Sequence, residues 1–329
     1  QCENGVWAVR AGFGEGVLPD RVSALIMRRI ELLDDKHRDL LDLAAVIGFS
    51  FTAAVLEKAA NLGRIDLLKT LYRLERRHHL IESTETGYRF VHSMVREVLY
   101  TAIPPELRTE YHRVIVATLK ALPGDRGGIS DESFSRHLFF AEQWEEALAM
   151  LQHCGECALS TFSWHLAVDL FAKAEMACQR SGTKDEELLA VLRCAGQAWL
   201  HLGAWEEADQ CYARQLVVAT AMEREAVVIE VLLARGHIQE QEQQMEAAEQ
   251  IYRQALERVE ALQEPVAHAC VLLKMGGLEF ELGHYDSAAQ RWRQALELLP
   301  AEAVSQRADA LNNLAVLATM GGFLDEAWA

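Results

Sequence analysis

The chain has 329 residues, half of them hydrophobic, with 32 Lys and Arg against 49 Asp and Glu for a formal net charge of −17. That length allows two or three domains, or one domain followed by an array of repeats. Its longest apolar stretch, Leu43–Leu56, is 14 residues and contains Gly48, Ser50 and Thr52, too short to span a bilayer.

Residues 1–17 are poorly patterned and read as a connector. Gly12-Phe13-Gly14-Glu15-Gly16 has alternate glycines, but Leu18-Pro19 follows where a dinucleotide fingerprint needs a long helix. Pro19 and Asp20 are expected to open a helix through Leu33, with Val22, Leu25, Ile26, Ile30 and Leu33 on one stripe. Asp34-Asp35 open a second helix through Ile47, and two more are expected over Thr52–Asn61 and Ile65–His79. Ile81–Val91 alternates around Gly87 and reads as a β-hairpin. Helices followed by a hairpin suggest a winged-helix-like domain. A helical arm follows over Met94–Leu122, interrupted at Pro104-Pro105.

From there a repeat takes over. Ala208, Ala248 and Ala288 are 40 residues apart, and so are Tyr212, Tyr252 and Trp292, and Gly196, Gly236 and Gly276. Three residue types in one register imply stacked supersecondary units. Each unit reads as two helices. In the third, Ala269–Leu282 and Tyr285–Leu299 are apolar at helical spacing, Gly283 separates them and Pro300 ends the second. The small residues let two backbones approach, and the aromatic residues fill the space beside them.

Leu282-Gly283-His284-Tyr285-Asp286-Ser287-Ala288 with Trp292, Ala295, Leu296 and Pro300 resembles a tetratricopeptide repeat (TPR). The unit around Gly203–Ala208 and Tyr212 is similar, with Gln215 in place of the usual small residue. The period of 40 exceeds the usual ~34. Upstream, several runs resemble the end of the ATPase module in STAND-type signalling ATPases, as found in LuxR-type regulators and in ATPase-linked nucleotide cyclases or kinases. They are Leu18-Pro19, Leu40–Gly48 with Phe51, Tyr88–Tyr100, Arg108, Tyr111-His112, Arg136-His137 and Glu142–Ala147. Together these predict a mainly all-α chain: connector 1–17, winged-helix-like domain and helical arm 18–122, and a right-handed TPR-like α-solenoid from 123 to 329. The start at Gln1 and the end at Ala329 suggest an excerpt of a longer protein.

The resemblance carries one residue with a chemical role. A histidine at the place of His92 contacts the β-phosphate of ADP in such ATPases, through an imidazole N–H. Here Ser93 replaces the family's following Asp, and a histidine packed against Phe90 and Tyr100 is the alternative. The role requires an ATPase domain that this chain does not display: Gly63 to Lys69-Thr70 has Leu68 where a P-loop needs glycine. ATP or ADP is therefore implied only for the whole protein, and no cofactor is expected in this segment. Cys154 and Cys157 share a helix face, but a redox or zinc site would need further ligands or a thioredoxin-like context, so Cys154 reads as the small contact residue of a repeat. Cys178, Cys194, Cys211 and Cys270 read as reduced core thiols of a cytoplasmic protein.

Function is expected at the repeats. Residues 1–120 hold 17 basic against 16 acidic side chains, and the remainder 15 against 33, so the repeat half carries −18. Such a field repels nucleic acid and anionic membranes and favours protein or peptide segments of basic character. Residues on the first helix of each pair, Arg193, Gln197, His201, Arg235 and Glu279, are expected to line a binding wall. The expected role is a non-catalytic regulatory region, with the chain's own ATPase domain as a further partner. The alternatives are a regulator of an effector enzyme, such as a cyclase or kinase, or a DNA-binding regulator using Arg73, Arg76, Arg77, His78 and His79.

Overall fold

A computed structural model describes residues 2–3, 6–7, 26, 28, 30, 32–122, 126–182 and 185–320. They form two compact units, Gln1–Ala147 and Leu148–Ala329. The division thus falls some 25 residues beyond the boundary at 122 expected from pattern. The expected Pro19–Leu33 helix lies largely outside the described residues, although Ile26, Arg28 and Ile30 are helical and Ile30 is buried. Near the start, β1 (Cys2–Glu3) pairs antiparallel with β2 (Val6–Trp7).

The first unit begins its described core with α1 (Asp35–Ile47), capped by Asp34, whose carboxylate accepts from the His37 N–H at 2.9 Å. There follow β3 (Ser50–Phe51), α2 (Ala53–Ala59), α3 (Arg64–Arg76), and the hairpin of β4 (Ile81–Ser83) and β5 (Tyr88–Phe90). The sheet order is β3-β5-β4, all antiparallel. Gly87 is needed where the hairpin passes β3, since a Cβ there would lie 2.5 Å from the Phe51 carbonyl oxygen. Next come α4 (Ser93–Ala102) and α5 (Pro105–Ala121), divided at Pro104-Pro105, then α6 (Asp131–Phe140).

A buried polar chain ties α1, α4, α5 and α6 together. His137 Nε2 lies 3.2 Å from the Ile47 carbonyl, and its Nδ1 lies 2.9 Å from His112 Nδ1. His112 Nε2 in turn lies 3.3 Å from the Tyr100 hydroxyl. One assignment satisfies every atom: Tyr100 O–H donates to His112, His112 Nδ1–H donates to His137, and His137 Nε2–H donates to Ile47. Each imidazole is therefore neutral, with a fixed tautomer. Burial, reinforced by Arg136 and Arg96, pushes His137 down to about 3; burial, the neighbouring His137 and the surrounding arginines push His112 down to about 2.

The second unit is built from helix pairs. They are α7 (Trp144–Ser160, its first turn in the first unit) with α8 (Trp164–Ser181), α9 (Asp185–His201) with α10 (Trp205–Ala221), α11 (Glu225–Gln241) with α12 (Met245–Leu262), and α13 (Pro265–Glu281) with α14 (Tyr285–Leu298); α15 (Val304–Met320) closes the described residues. In each pair a glycine of the first helix faces an aromatic ring sixteen residues later. A Cβ on Gly155 would lie 2.6 Å from Phe171, and one on Gly196 would lie 2.7 Å from Tyr212. Gly236 against Tyr252 and Gly276 against Trp292 are closer still. The ring fills the volume that a side chain would take, so the helices approach closely and bury Ala208, Ala248 and Ala288 completely. These are TPR-like helical repeats, and the pair carrying Gly155 adds one more unit, set 41 rather than 40 residues before the next. Gly155, not Cys154, is the small residue at that contact.

The turn within each pair needs a left-handed residue. Gly203 and Gly283 supply it with φ of 70° and 81°, but in the pair between them Gln243 holds φ 60°. Gln243 is exposed. Gln243→Gly should therefore raise unfolding stability by about 1 kcal/mol, read as a higher urea midpoint; a lower midpoint would show that the glutamine side chain contributes a contact of its own.

Candidate functional site

Alternation of burial along α9 sets the candidate wall. Leu189, Leu192, Ala195, Gly196 and Ala198 face inward. Arg193, Gln197 and His201 recur every four residues on the other side, and all three are exposed. The His201 ring stacks on Trp164, the first residue of α8, at 4.1 Å and 12°. The structure thus brings three of the five expected wall residues onto one stripe.

Arg235 and Glu279 stand differently. Arg235 occupies the register position of the buried Ala195 and Met275. Its guanidinium donates twice to Asp209 of α10, Nε to Oδ1 at 2.7 Å and Nη2 to Oδ2 at 3.1 Å. Glu279 accepts from Arg291 Nε of α14 at 2.6 Å, and its Oε2 is buried. Both are committed to neighbouring helices rather than presented outward. Helical spacing alone cannot report this, because the partners sit on other helices. Half-buried pairs of this kind fix one helix against the next, with about 0–1 kcal/mol each to the fold.

The stripe continues on α11 as Leu233, His237 and Gln241, and on α13 as Leu273, Gly277 and Glu281, following the 40-residue register. Position 215, noted as a departure from that register, opens onto a cavity of about 620 Å³ bounded by α9, α10, α11 and α12. No motif signalled the cavity, which arises from four helix ends.

In the first unit His92 is the residue preceding α4, with extended backbone and no hydrogen bond from its side chain to the helix start. It is exposed, at the end of β5, rather than packed away. The helix behind it is held by Arg96, whose Nε donates to the Ala45 carbonyl at 3.0 Å. Gly63 is the residue preceding helix α3 and Lys69-Thr70 lie within it, with Leu67, Leu71 and Leu74 buried. At its end Arg73, Arg76 and Arg77 are exposed, His78 is half-buried, and His79 is exposed with φ 51°.

The thiols are spread out. Cys178, Cys194 and Cys211 are buried, and burial pushes the Cys178 thiol up to about 11. Cys157 is exposed, with its sulfur 3.9 Å from His153 Nε2. Among the described residues no three His, Cys, Asp or Glu side chains are grouped to hold a metal ion, and no helix is long and apolar enough to cross a membrane.

No protein-family model matches the chain, and no curated protein matches it. Solved structures similar to it include a STAND protein with a tetratricopeptide repeat sensor from Pyrococcus horikoshii, at 14% identity over 90% of this chain and 56% of that one, with a TM-score of 0.48. BtubC from P. vanneervenii is 18% identical over 60% of this chain and 82% of that one, with a TM-score of 0.47. A Rap protein complexed with competence and sporulation factor is 15% identical over 92% and 74%, again with a TM-score of 0.47. The chain therefore spans little more than half the length of the STAND protein that it resembles.

Proposed function

We propose that this chain is the regulatory, partner-binding region of a larger cytoplasmic signalling ATPase of the STAND type, without catalysis of its own. The observation that carries the reading is the exposed stripe of Arg193, Gln197 and His201 on a helix whose opposite face is locked into the repeat stack. A rigid, solvent-facing row of polar side chains recognises a partner at little ordering cost. The surrounding −18 charge favours a basic protein or peptide. The first unit, with helix, strand, two helices and hairpin in order, serves as a winged-helix-like relay. His92 at its edge is proposed to meet ADP held by the protein's own ATPase domain.

A photocrosslinker placed at Gln197 in the whole protein, in its native cells, should yield one discrete protein adduct that Arg193→Glu abolishes. The same crosslinker at Lys173 supplies the background pattern. Adducts at Gln197 that match this background would remove the repeat wall as a binding surface. For the relay, His92→Ala in the whole protein should speed ADP release at least tenfold; an unchanged rate would remove His92.

A further inference from the structure

In the 40-residue register, position 215 corresponds to Ala255 and Ala295, both 0% exposed where second helices meet first helices. Gln215 is buried to the same degree, at 2% exposed. Its Nε2 donates to the Leu189 carbonyl at 3.4 Å, and its Oε1 has no partner among the described residues. An unpaired buried acceptor costs about 1–3 kcal/mol, a cost that alanine would not incur. Packing alone therefore does not account for a glutamine here.

Gln215 lines the 620 Å³ cavity, whose size falls within the roughly 300–1,000 Å³ of ligand pockets. Leu189, Ala190, Val227 and Leu262 supply its apolar surface. Two of the acids in the lining are already neutralised, Glu186 by Arg224 and Glu225 by Arg258. Glu223 and Glu230 have no ion-pair partner among the described residues, and neither does Arg193, which also lines the cavity. The site thus offers a buried acceptor, an excess of negative charge, an apolar surface and one cationic donor.

We propose that this cavity binds a short peptide segment in which a lysine or arginine neighbours an aliphatic residue. A peptide N–H donates to Gln215 Oε1, the cation lies against Glu223 and Glu230, and a peptide carbonyl accepts from Arg193. A polyamine satisfies only part of this set. It carries donors and positive charge alone, so it leaves Arg193 unpaired and repelled, whereas a peptide backbone alternates donors with acceptors. The inference rests on reading the repeats as a partner-binding surface, and it names the site and the chemistry of the guest.

The test uses fluorescence anisotropy on the 329-residue chain at low ionic strength, with two labelled tetrapeptide pools, one with Lys fixed at the second place and one with Glu there. Saturable binding of the Lys pool and none of the Glu pool is expected. Glu230→Gln should weaken binding at least tenfold. Gln215→Ala should weaken it at least fivefold while leaving the thermal midpoint equal or higher, since it restores the residue type of the sister pairs. Failure of the Lys pool to saturate at millimolar concentration overturns the proposal. So does binding that Gln215→Ala leaves unchanged, because that is surface charge alone, and so does displacement by spermidine as readily as by unlabelled Lys pool. A persistent Gln197 adduct alongside any of these outcomes would remove the cavity and leave the wall.

Discussion

Replacing Gly276 by alanine should destabilise the second unit by about 3 kcal/mol, while the same change one residue later should stabilise it by up to about 1 kcal/mol. The contrast follows from two adjacent glycines on α13. A Cβ at position 276 meets the Trp292 indole well inside van der Waals contact, against both Nε1 and Cδ1. That indole has little room to retreat, since Trp292 is buried and its Nε1 donates to the Leu273 carbonyl at 3.2 Å. Relief requires either loss of that hydrogen bond or separation of α13 from α14. At Gly277 an added Cβ finds nothing within 4 Å, so Gly277→Ala gains helix propensity without a clash. Urea unfolding of the two variants checks this. Equal midpoints would show that ring and glycine are not locked together.

Acid should unfold the first unit well before general carboxylate titration is complete. His112 and His137 are neutral in the fold, with values pushed below the ordinary ~6.5 of an exposed imidazole. The unfolded chain therefore binds two more protons than the native one as pH falls from about 6.5 toward 3. Stability is fully present above 6.5 and lost across that window. Asp42 opposes this: burial raises its carboxyl to about 6, so from about 6 down to its ordinary value the native state holds one extra proton. The balance of one proton over two pH units amounts to a loss of about 3 kcal/mol between pH 6 and pH 4. Unfolding midpoints followed against pH, with imidazole NMR to report each ring, check both size and cause. A flat midpoint from pH 7 to 4.5, or either ring titrating above pH 5, would disprove the neutral chain from Tyr100 to Ile47.

Legibility of the fold followed repetition and punctuation. The helix pairs were readable because Gly276 and Trp292 recur in register, and a contact that every pair must make leaves the same residue types behind. Gly155 with Phe171 escaped that reading because the step to Gly196 is 41 rather than 40 and the ring is a phenylalanine. Pro104-Pro105 and Gly87 marked their breaks for local steric reasons. The strand Ser50–Phe51 left no pattern, because two residues cannot alternate visibly and its pairing is decided by β5 far along the chain. The same limit governs the site. Arg193, Gln197 and His201 follow from helical spacing within one element. Arg235 answers to Asp209 and Glu279 to Arg291, and such choices between helices have no local signature. Gln215 stood out as a departure, but the cavity beside it depends on four helix ends meeting.

The ring-on-glycine contact also bears on how the second unit yields to force. Each lock joins residues sixteen apart, so most of its contacts are local, and among the described residues of the unit no strand staples one end to the other. Pulled from the C-terminal side, such an array should peel rather than shatter. The extension trace should rise in a staircase, each step releasing one 40-residue pair, roughly 140 Å of chain.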